Sequence, residues 1–320
     1  MAANHLLLHG PASRQSDFWG LTVASASSQR PLEIVQVSDT HLSQSHAWFT
    51  ANWPVFLDEM RAQTPDLIVN SGDLSFNGPD NPEDLSFARA AHDALPAPWR
   101  AVAGNHDVGE APGASRLNQQ VDDRRLAAWR THVGPSWWVH DLERDSLGLR
   151  LIGLDTALMG SGHPDEARQA AFVEAVLADR AGRPVLVFLH LPPFTADPED
   201  RAITTQCLMF DRRRWLLNCC RTGGVLAIAA GHIHRHSVAE WDGMAVVTAP
   251  ATSFVNVPDG PVSAMRPLRT GYLLWSYDGI NLRHSVIRPR LFLSTDASNW
   301  TEADRTTTTL PPRPLAAALF

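Results

Sequence analysis

Lysine is absent from the chain, and all 27 residues counted as Lys or Arg are arginines. No lysine can therefore act as a nucleophile or form a Schiff base. The 34 acidic residues exceed these 27, which gives a formal net charge of -7. This balance speaks against nucleic acid or an anionic membrane as the partner. A small anionic substrate is compatible with it, because bound cations can reverse the local field.

Cysteine is scarce, with Cys207, Cys219 and Cys220 as the three in the chain. An odd number with two adjacent residues predicts no disulfide framework. There is no Cys-x-x-Cys pair of the kind that holds structural zinc. The cysteine usage therefore favours a reducing compartment, and we expect a cytoplasmic protein.

Long apolar runs are also lacking, and none could span a bilayer. The leucines at 6–8 are followed by Gly10 and Pro11 and are preceded by no basic run, so we expect no signal peptide. Residues 1–31 are predicted to be an irregular lead-in and 32–292 a single domain. The Thr-, Pro- and Ala-rich residues 293–320 are predicted to be a tail.

Short runs rich in Val, Ile and Leu recur after Pro31 and alternate with amphipathic stretches. Such runs are typical of strands buried on both faces, and their alternation with helices predicts a layered α/β fold. The expected strands are 32–37, 66–69, 100–103, 149–154, 185–189, 225–230 and 244–248. The expected helices are 52–63, 83–95, 118–132, 165–180 and 211–220. Near the end, 271–277 and 280–287 flank Asp278-Gly279, which predicts a hairpin with a two-residue turn.

Polar side chains follow five of the expected strands, at the point where each strand ends. They are Asp39, His41, Asp73, Asn105, His106, His190, His232 and His234. Ligands of open α/β sheets bind outside the carboxyl ends of the strands, so we expect these side chains at one rim. Carboxylate, amide and imidazole groups without a thiolate suit Mn, Fe, Co or Zn. They are more than one ion needs, which predicts two divalent ions ~3.5–4 Å apart that share one carboxylate.

Five motifs, taken in this order, resemble the calcineurin-like metallophosphoesterase superfamily over about residues 33–250. They are Asp39-x-His41, Gly72-Asp73, Gly104-Asn105-His106-Asp107, the lone His190, and Gly231-His232-x-His234. The resemblance implies a four-layer αββα sandwich with a C-terminal hairpin. It leaves room for a small cap over the site, built from the lead-in, the segment after Asp107 or the tail.

The resemblance also implies a role for each residue. One ion would be held by Asp39, His41, Asp73 and His234. The other would be held by Asp73, Asn105, His190 and His232, so that Asp73 bridges. A hydroxide between the ions would be the nucleophile, and His106 would donate a proton or a hydrogen bond to the leaving oxygen. Asp107 would orient the imidazole of His106.

Local sequence narrows the activity further. Phe76 stands where purple acid phosphatases have a tyrosine, and residues 72–78 lack the Ser/Thr protein phosphatase pattern. Residues 37–42, 190–194 and 248–253 are similar to bacterial class III cyclic-nucleotide phosphodiesterases and their glycerophosphodiesterase relatives. We therefore expect hydrolysis of a small phosphodiester, such as a 3′,5′-cyclic nucleotide.

Three alternatives accompany this expectation. The nearest is a phosphomonoesterase acting on a small organic phosphate. A non-catalytic scaffold is disfavoured because every ligand position is filled, and a nuclease because no basic stripe is present. The sequence leaves open whether the chain forms a homodimer.

Four further polar residues lie close to the motifs. His46, His163 and His236 are expected at the surface, outside the metal centre. Asp155 follows an apolar run, and this position is equally compatible with a plain turn residue and with a residue that supports the site.

Overall fold

The computed structural model describes residues 29–112, 119–256 and 268–297. The compact unit that contains the motifs begins at Pro31. Almost all of the expected lead-in and most of the expected tail lie outside the described residues, so the domain boundaries stay a prediction. Among the helices that are described, none combines the length and the apolar character needed to cross a membrane.

The described ranges contain strands, α-helices and two 3-10 helices. The strands are β1 (Leu32–Val37), β2 (Leu67–Asn70), β3 (Trp99–Ala101), β4 (Trp138–Arg144), β5 (Leu147–Gly153), β6 (Val185–Phe188), β7 (Val225–Ala230), β8 (Ser237–Trp241), β9 (Met244–Thr248), β10 (Tyr272–Tyr277) and β11 (Leu282–Ile287). The α-helices are α1 (Trp53–Gln63), α2 (Pro82–Asp93), α3 (Asn105–Val108), α4 (Asp123–His132), α5 (Pro164–Ala178) and α6 (Phe210–Thr222). The 3-10 helices are Ala47–Asn52 and Thr156–Leu158.

The strands form two sheets. The first has the order β11-β10-β1-β2-β3, in which β1, β2 and β3 are parallel and β10 is antiparallel to both β1 and β11. The second has the order β4-β5-β6-β7-β9-β8, with four parallel central strands and an antiparallel strand at each edge. The parallel strands of each sheet therefore deliver their carboxyl ends to a common edge.

Alternating side chains stack the sheets and cover them with helices. Leu32 and Ile34 of β1 share one core with Leu149 of β5, between the two sheets. Val35 points the other way and packs with residues of α1, α2 and α4. Ile228 of β7 packs with residues of α5 and α6 on the far side of the second sheet. These contacts confirm the predicted four-layer αββα arrangement.

The strands β4 and β8 were not expected from the sequence. Both lie at the edges of the second sheet, and their residues alternate between covered and exposed positions. One face of an edge strand meets water, so charged residues such as Asp141 and Glu240 interrupt the apolar run. A search for continuous apolar runs therefore passes over both strands.

The predicted two-residue turn of the hairpin is wrong. Strand β10 ends at Tyr277 and pairs with Leu282, the first residue of β11, so residues 278–281 form the loop. The Asp278 carboxylate accepts hydrogen bonds from the backbone N–H groups of Ile280 (2.9 Å) and Asn281 (2.7 Å). This side-chain turn stabilises the longer loop in place of a tight one.

Candidate metal centre

The predicted ligands lie directly after β1, β2, β3, β6 and β7 and come together at one rim. Their ligand atoms form three overlapping groups, and within each group all atoms lie within 4.8 Å of one another. The groups are Asp39, His41 and His234; His41, Asp73 and His106; and Asp73, His190 and His232. Asn105 joins the last group, because its Oδ1 lies 3.0 Å from Nε2 of His190.

The backbone at this rim is unusual. Left-handed φ angles occur at Asp39 (52°), His41 (44°), Asp73 (54°), His232 (69°) and His234 (53°). Residues other than glycine rarely adopt this conformation, and it persists only where the surroundings enforce it. The chain therefore bends sharply after β1, β2 and β7, and successive side chains there turn toward the same point.

Two motif glycines are required by close approach. A Cβ on Gly72, where φ is +102°, would lie 2.3 Å from Nδ1 of His190. A Cβ on Gly104 would lie 2.1 Å from Oδ1 of Asp73. Each glycine thus lets a ligand from another loop reach the centre, which explains why glycine precedes the ligands in these motifs.

Backbone carbonyl groups orient three of the imidazoles. A carbonyl oxygen can only accept, so the ring nitrogen that contacts it carries the proton. The contacts are His190 Nδ1 to Ser71 O (3.0 Å), His234 Nδ1 to Phe254 O (3.0 Å) and His232 Nε2 to Thr205 O (2.7 Å). The opposite nitrogen of each ring points to the cluster, where a metal ion can bind it once it is unprotonated.

The inward atoms fit divalent cations. His41 Nε2 and His234 Nε2 lie 3.3 Å apart, and the latter is 3.3 Å from Oδ1 of Asp39. Oδ2 of Asp73 lies 3.6 Å from His41 Nε2 and 3.3 Å from His190 Nε2, so this carboxylate stands between two groups of donors. Lone pairs that converge in this way repel one another unless a positive charge lies between them.

Burial and mutual fields shift the pKa values of the site. Burial acts to raise the pKa of Asp39, but the charges of His234 and His190 outweigh it and lower that pKa to about 2. Burial, followed by the charge of His106, lowers the pKa of His41 well below its usual range. The ionised carboxylate and the neutral imidazole are the forms that bind a metal ion.

The pKa of His190 is shifted in the opposite direction to that of His41. Burial lowers its pKa, but the Asp73 carboxylate outweighs burial and raises the pKa to about 9. Without a cation, a proton on His190 neutralises the buried carboxylate. A metal ion that binds at neutral pH must therefore displace this proton.

The structure corrects the expected contact between Asp107 and the His106 imidazole. The Asp107 carboxylate accepts hydrogen bonds from the N–H groups of Gly104, Leu74 and Ser75 and from the Ser75 hydroxyl, at 2.7–3.1 Å. The His106 ring instead donates through Nδ1 to the carbonyl oxygen of Phe76 at 2.7 Å. Asp107 therefore joins the loop after β2 to the loop after β3, and Phe76 O orients the imidazole.

The residues close to the motifs take no place among the ligands. The surface position expected for His46 is wrong, since the ring is buried with its centroid 4.3 Å from that of Phe76. His163 and His236 are half-buried and lie outside the ligand groups. Asp155 is buried and accepts a hydrogen bond from the N–H of Ala157 at 2.9 Å, which caps the 3-10 helix Thr156–Leu158.

Sequence reasoning missed the groups that orient the ligands. The carbonyl oxygens of Ser71, Thr205 and Phe254 have no sequence signal, because every residue carries one. Asn70 did have a signal, as the polar end of an otherwise apolar strand. Its Oδ1 accepts from Gly72 N at 3.0 Å and its Nδ2 donates to Thr40 Oγ1 at 3.2 Å, which ties together two ligand loops.

Comparison with known proteins agrees with this geometry. The family model described as "Calcineurin-like phosphoesterase" matches residues 32–236. The chain is 26% identical over 230 residues to the probable glycerophosphodiester phosphodiesterase GpdQ of Arcobacter nitrofigilis, covering 69% of this chain and 78% of that protein. It is 28% identical over 283 residues to a probable cyclic nucleotide phosphodiesterase of Rhodococcus erythropolis, covering 83% and 87%.

Among solved structures, a dimetal phosphatase from Danio rerio has the same fold. It aligns with a TM-score of 0.52 and 16% identity, over 81% of this chain and 96% of that one. At this level of identity the likeness concerns the fold alone.

Proposed function

The chain belongs to the calcineurin-like phosphoesterase family, and on that premise we propose that it hydrolyses a small phosphodiester, such as a 3′,5′-cyclic nucleotide, with two divalent ions bound at the rim. The observation that carries the proposal is the position of Asp73 between two groups of inward donors. Support for a diester comes from the names of the relatives, which are phosphodiesterases for glycerophosphodiesters or cyclic nucleotides.

The donors divide into two sets around Asp73. The first ion would be held by Asp39, His41, Asp73 and His234. The second would be held by Asp73, Asn105, His190 and His232. Such ions, when bound, supply a nucleophile from water at neutral pH and neutralise charge on the phosphoryl group. Oxygen and imidazole donors suit Mn, Fe, Co or Zn.

His106 supplies the proton for the leaving oxygen. Its backbone N–H donates to Oδ1 of Asp73 at 2.8 Å, so the residue is fixed relative to the shared carboxylate. Its ring is fixed through the bond from Nδ1 to Phe76 O, which leaves Nε2 available to the substrate. A proton held at Nε2 passes to the ester oxygen as the bond to phosphorus breaks.

Asp107 acts as a positioning residue. It accepts hydrogen bonds from both the loop that carries Asp73 and the loop that carries Asn105 and His106. Substitution of Asp107 therefore shifts the shared ligand and the proton donor together, although its carboxylate does not contact the imidazole.

Hydrolysis of bis(p-nitrophenyl) phosphate and of p-nitrophenyl phosphate tests the proposal. Metal-stripped protein is supplied in turn with Mn²⁺, Fe²⁺, Co²⁺ or Zn²⁺, and cyclic nucleotides follow as substrates. We expect the added ion to restore cleavage of the diester in preference to the monoester. We expect Asp73→Asn to abolish it, since the shared carboxylate is lost.

Asp165→Asn is the matched control. Asp165 is also a buried aspartate, but it pairs with Arg130 and Arg168 away from the metal centre. Full diester cleavage by Asp73→Asn, or none by the wild-type protein with any of the ions, contradicts the proposal. Preference for the monoester would assign the chain to phosphomonoesterases instead.

A further inference from the structure

A narrow cleft of about 30 Å³ adjoins the second set of ligands. Asn105 forms part of its wall, and so does Thr205, whose carbonyl oxygen orients His232. The rest of the wall comes from residues 109–111 after α3, from residues 156–159 at the 3-10 helix after β5, and from the segment between β6 and α6. Its main side chains are those of Met159, Leu191, Leu208 and Met209.

The lining of this cleft is mostly apolar, and the residues of it that the structure describes carry no positive charge. Glu110 is the charged side chain among the described residues that form it, and neither arginine nor histidine is among them. An anionic group would meet a carboxylate and hydrocarbon there, with no cation to replace its hydration. An uncharged apolar group would gain by leaving water.

The walls of the cleft are held by specific contacts. Gly160, with a φ of +90°, lies so close to Met209 that a Cβ would be 2.2 Å from the Met209 Cε. Leu208 N donates to Pro192 O at 3.0 Å, which joins the two ends of the segment that follows β6. The buried Arg213 donates to the carbonyl oxygens of Asp197 (3.1 Å) and Pro198 (2.9 Å). The cleft is therefore part of the folded structure.

The proposed proton donor lies beside the first set of ligands. The His106 ring packs edge-on against His41, a ligand of the first set, with centroids 4.7 Å apart. Its Nδ1 is bonded to Phe76 O, also on that side. A leaving oxygen that takes its proton from His106 would therefore depart beside the first set, which leaves the side of the second set and its cleft to the other ester group of the diester.

We propose that this cleft binds the ester group that stays on phosphorus, and that it selects phosphodiesters in which this group is uncharged and apolar. The inference rests on the proposed function and deepens it by naming the substrate class. An aromatic ring, such as the base of a nucleoside, belongs to that class. A retained group with its own carboxylate or phosphate does not.

A series of diesters with one leaving group tests this inference on metal-loaded protein. The substrates are the p-nitrophenyl phosphates whose second ester is methyl, phenyl or 3-carboxyphenyl. We expect the KM of the phenyl ester to be about tenfold below that of the methyl ester, because an apolar pocket discriminates by about this factor for each small group. We expect the KM of the carboxyphenyl ester to rise again by about tenfold.

A pair of charge-adding variants locates the effect. Met209→Arg places a cation in the cleft on a side chain of similar length. Ile203→Arg places it on the same segment at a residue that is 72% exposed and lies outside the lining. We expect Met209→Arg to reverse the preference between the phenyl and carboxyphenyl esters, and Ile203→Arg to leave it unchanged.

The outcomes separate this inference from the proposed function. Absence of metal-dependent turnover of the methyl ester, which makes little use of the cleft, overturns the proposed function and the inference with it. Turnover of all three esters with one KM overturns the inference alone. An equal change in ester preference in the two arginine variants also overturns it, since the added positive charge would then act through its general electrostatic field and not through the cleft.

Discussion

The two sides of the metal centre have different surroundings. Around the first set of ligands lie Phe49, Phe76 and Phe254, which are buried and contact one another. The Phe254 ring is 4.9 Å from that of His41. The second set, with His190 and its neighbours, adjoins the cleft and is approached by the segment that follows β6.

In the proposed function, the first side would hold an ion and the second side would also admit the substrate. Aromatic side chains around the first set exclude water, which strengthens the attraction between the ligands and a cation. The second set adjoins the cleft, through which the proposed substrate would reach it. The two sides should therefore respond differently to substitution.

Removal of one imidazole from either side should have the largest effect. We expect His234→Ala and His190→Ala each to reduce bound metal from two ions to one and hydrolysis by more than about a hundredfold, since changes outside the ligand shell already cost 10–100-fold. Elemental analysis after dialysis, together with diester kinetics, measures both. His163→Ala, a half-buried histidine outside the ligand groups, is the control. Retention of two ions by His190→Ala would leave a single-ion site as the better description.

Shortening one aromatic side chain beside the first set and one side chain of the cleft should lower the stability of the fold by unequal amounts. Phe49 is 3% exposed, so we expect Phe49→Ala to lower the free energy of unfolding by about 3–5 kcal/mol. Met209 is half-buried at the edge of the cleft, and we expect Met209→Ala to cost about 1 kcal/mol. Urea unfolding of metal-free protein measures the two without contributions from ion binding. Equal losses would show that the cleft wall is as much a part of the core as the aromatic wall.

The same contrast shows what a sequence can reveal. The sequence predicts Asp39, Asp73 and His190 as ligands because an apolar run that stops at a polar residue indicates the end of a buried strand. The left-handed backbone that turns Asp39 and Asp73 inward could not be found in this way, because it is imposed by contacts between loops distant in the chain. The segment between β6 and α6 has neither helical nor strand periodicity. Its role as a wall follows from tertiary contacts such as those of Arg213.

Loss of the contacts that anchor this segment should weaken metal binding on the second side alone. Arg213 also donates to Leu208 O at 3.3 Å, and the segment that it holds carries Thr205, which orients His232. We expect Arg213→Met to weaken binding of the second ion by about tenfold, as for other changes behind a ligand, and to leave the first ion unaffected. Titration with Mn²⁺ measures both affinities.

Arg214→Met is the matched control for this prediction. Arg214 is the next residue on α6, is half-exposed and contacts Glu199 at 3.3 Å. Equal weakening by both variants would indicate an effect of charge and not of the segment's anchoring. Equal weakening of both ions by Arg213→Met would show that the two sides are not independently supported.

The smallest effect should be a pH dependence that distinguishes the polar groups behind the two sides. Behind the first, the buried His92 donates to Ala88 O at 2.8 Å and lies 2.9 Å from Asn70 Nδ2. Burial lowers its pKa to about 4. Its contribution to stability is therefore present above its ordinary pKa and is lost as the pH falls toward 4.

Asp155, behind the second side, should act in the opposite direction. Its Oδ2 is buried without a hydrogen-bond partner among the described residues, and burial raises its pKa to about 7. The folded protein holds this proton between the ordinary and the raised pKa, whereas the unfolded chain does not, so stability falls as the pH rises through that interval. We expect the free energy of unfolding of the metal-free wild-type protein, relative to that of Asp155→Asn, to fall by about 1 kcal/mol per pH unit between about pH 5 and pH 6. Urea unfolding at several pH values measures the slope. Parallel curves for the two proteins would mean that Asp155 is ionised in the fold and that a polar partner reaches its second oxygen.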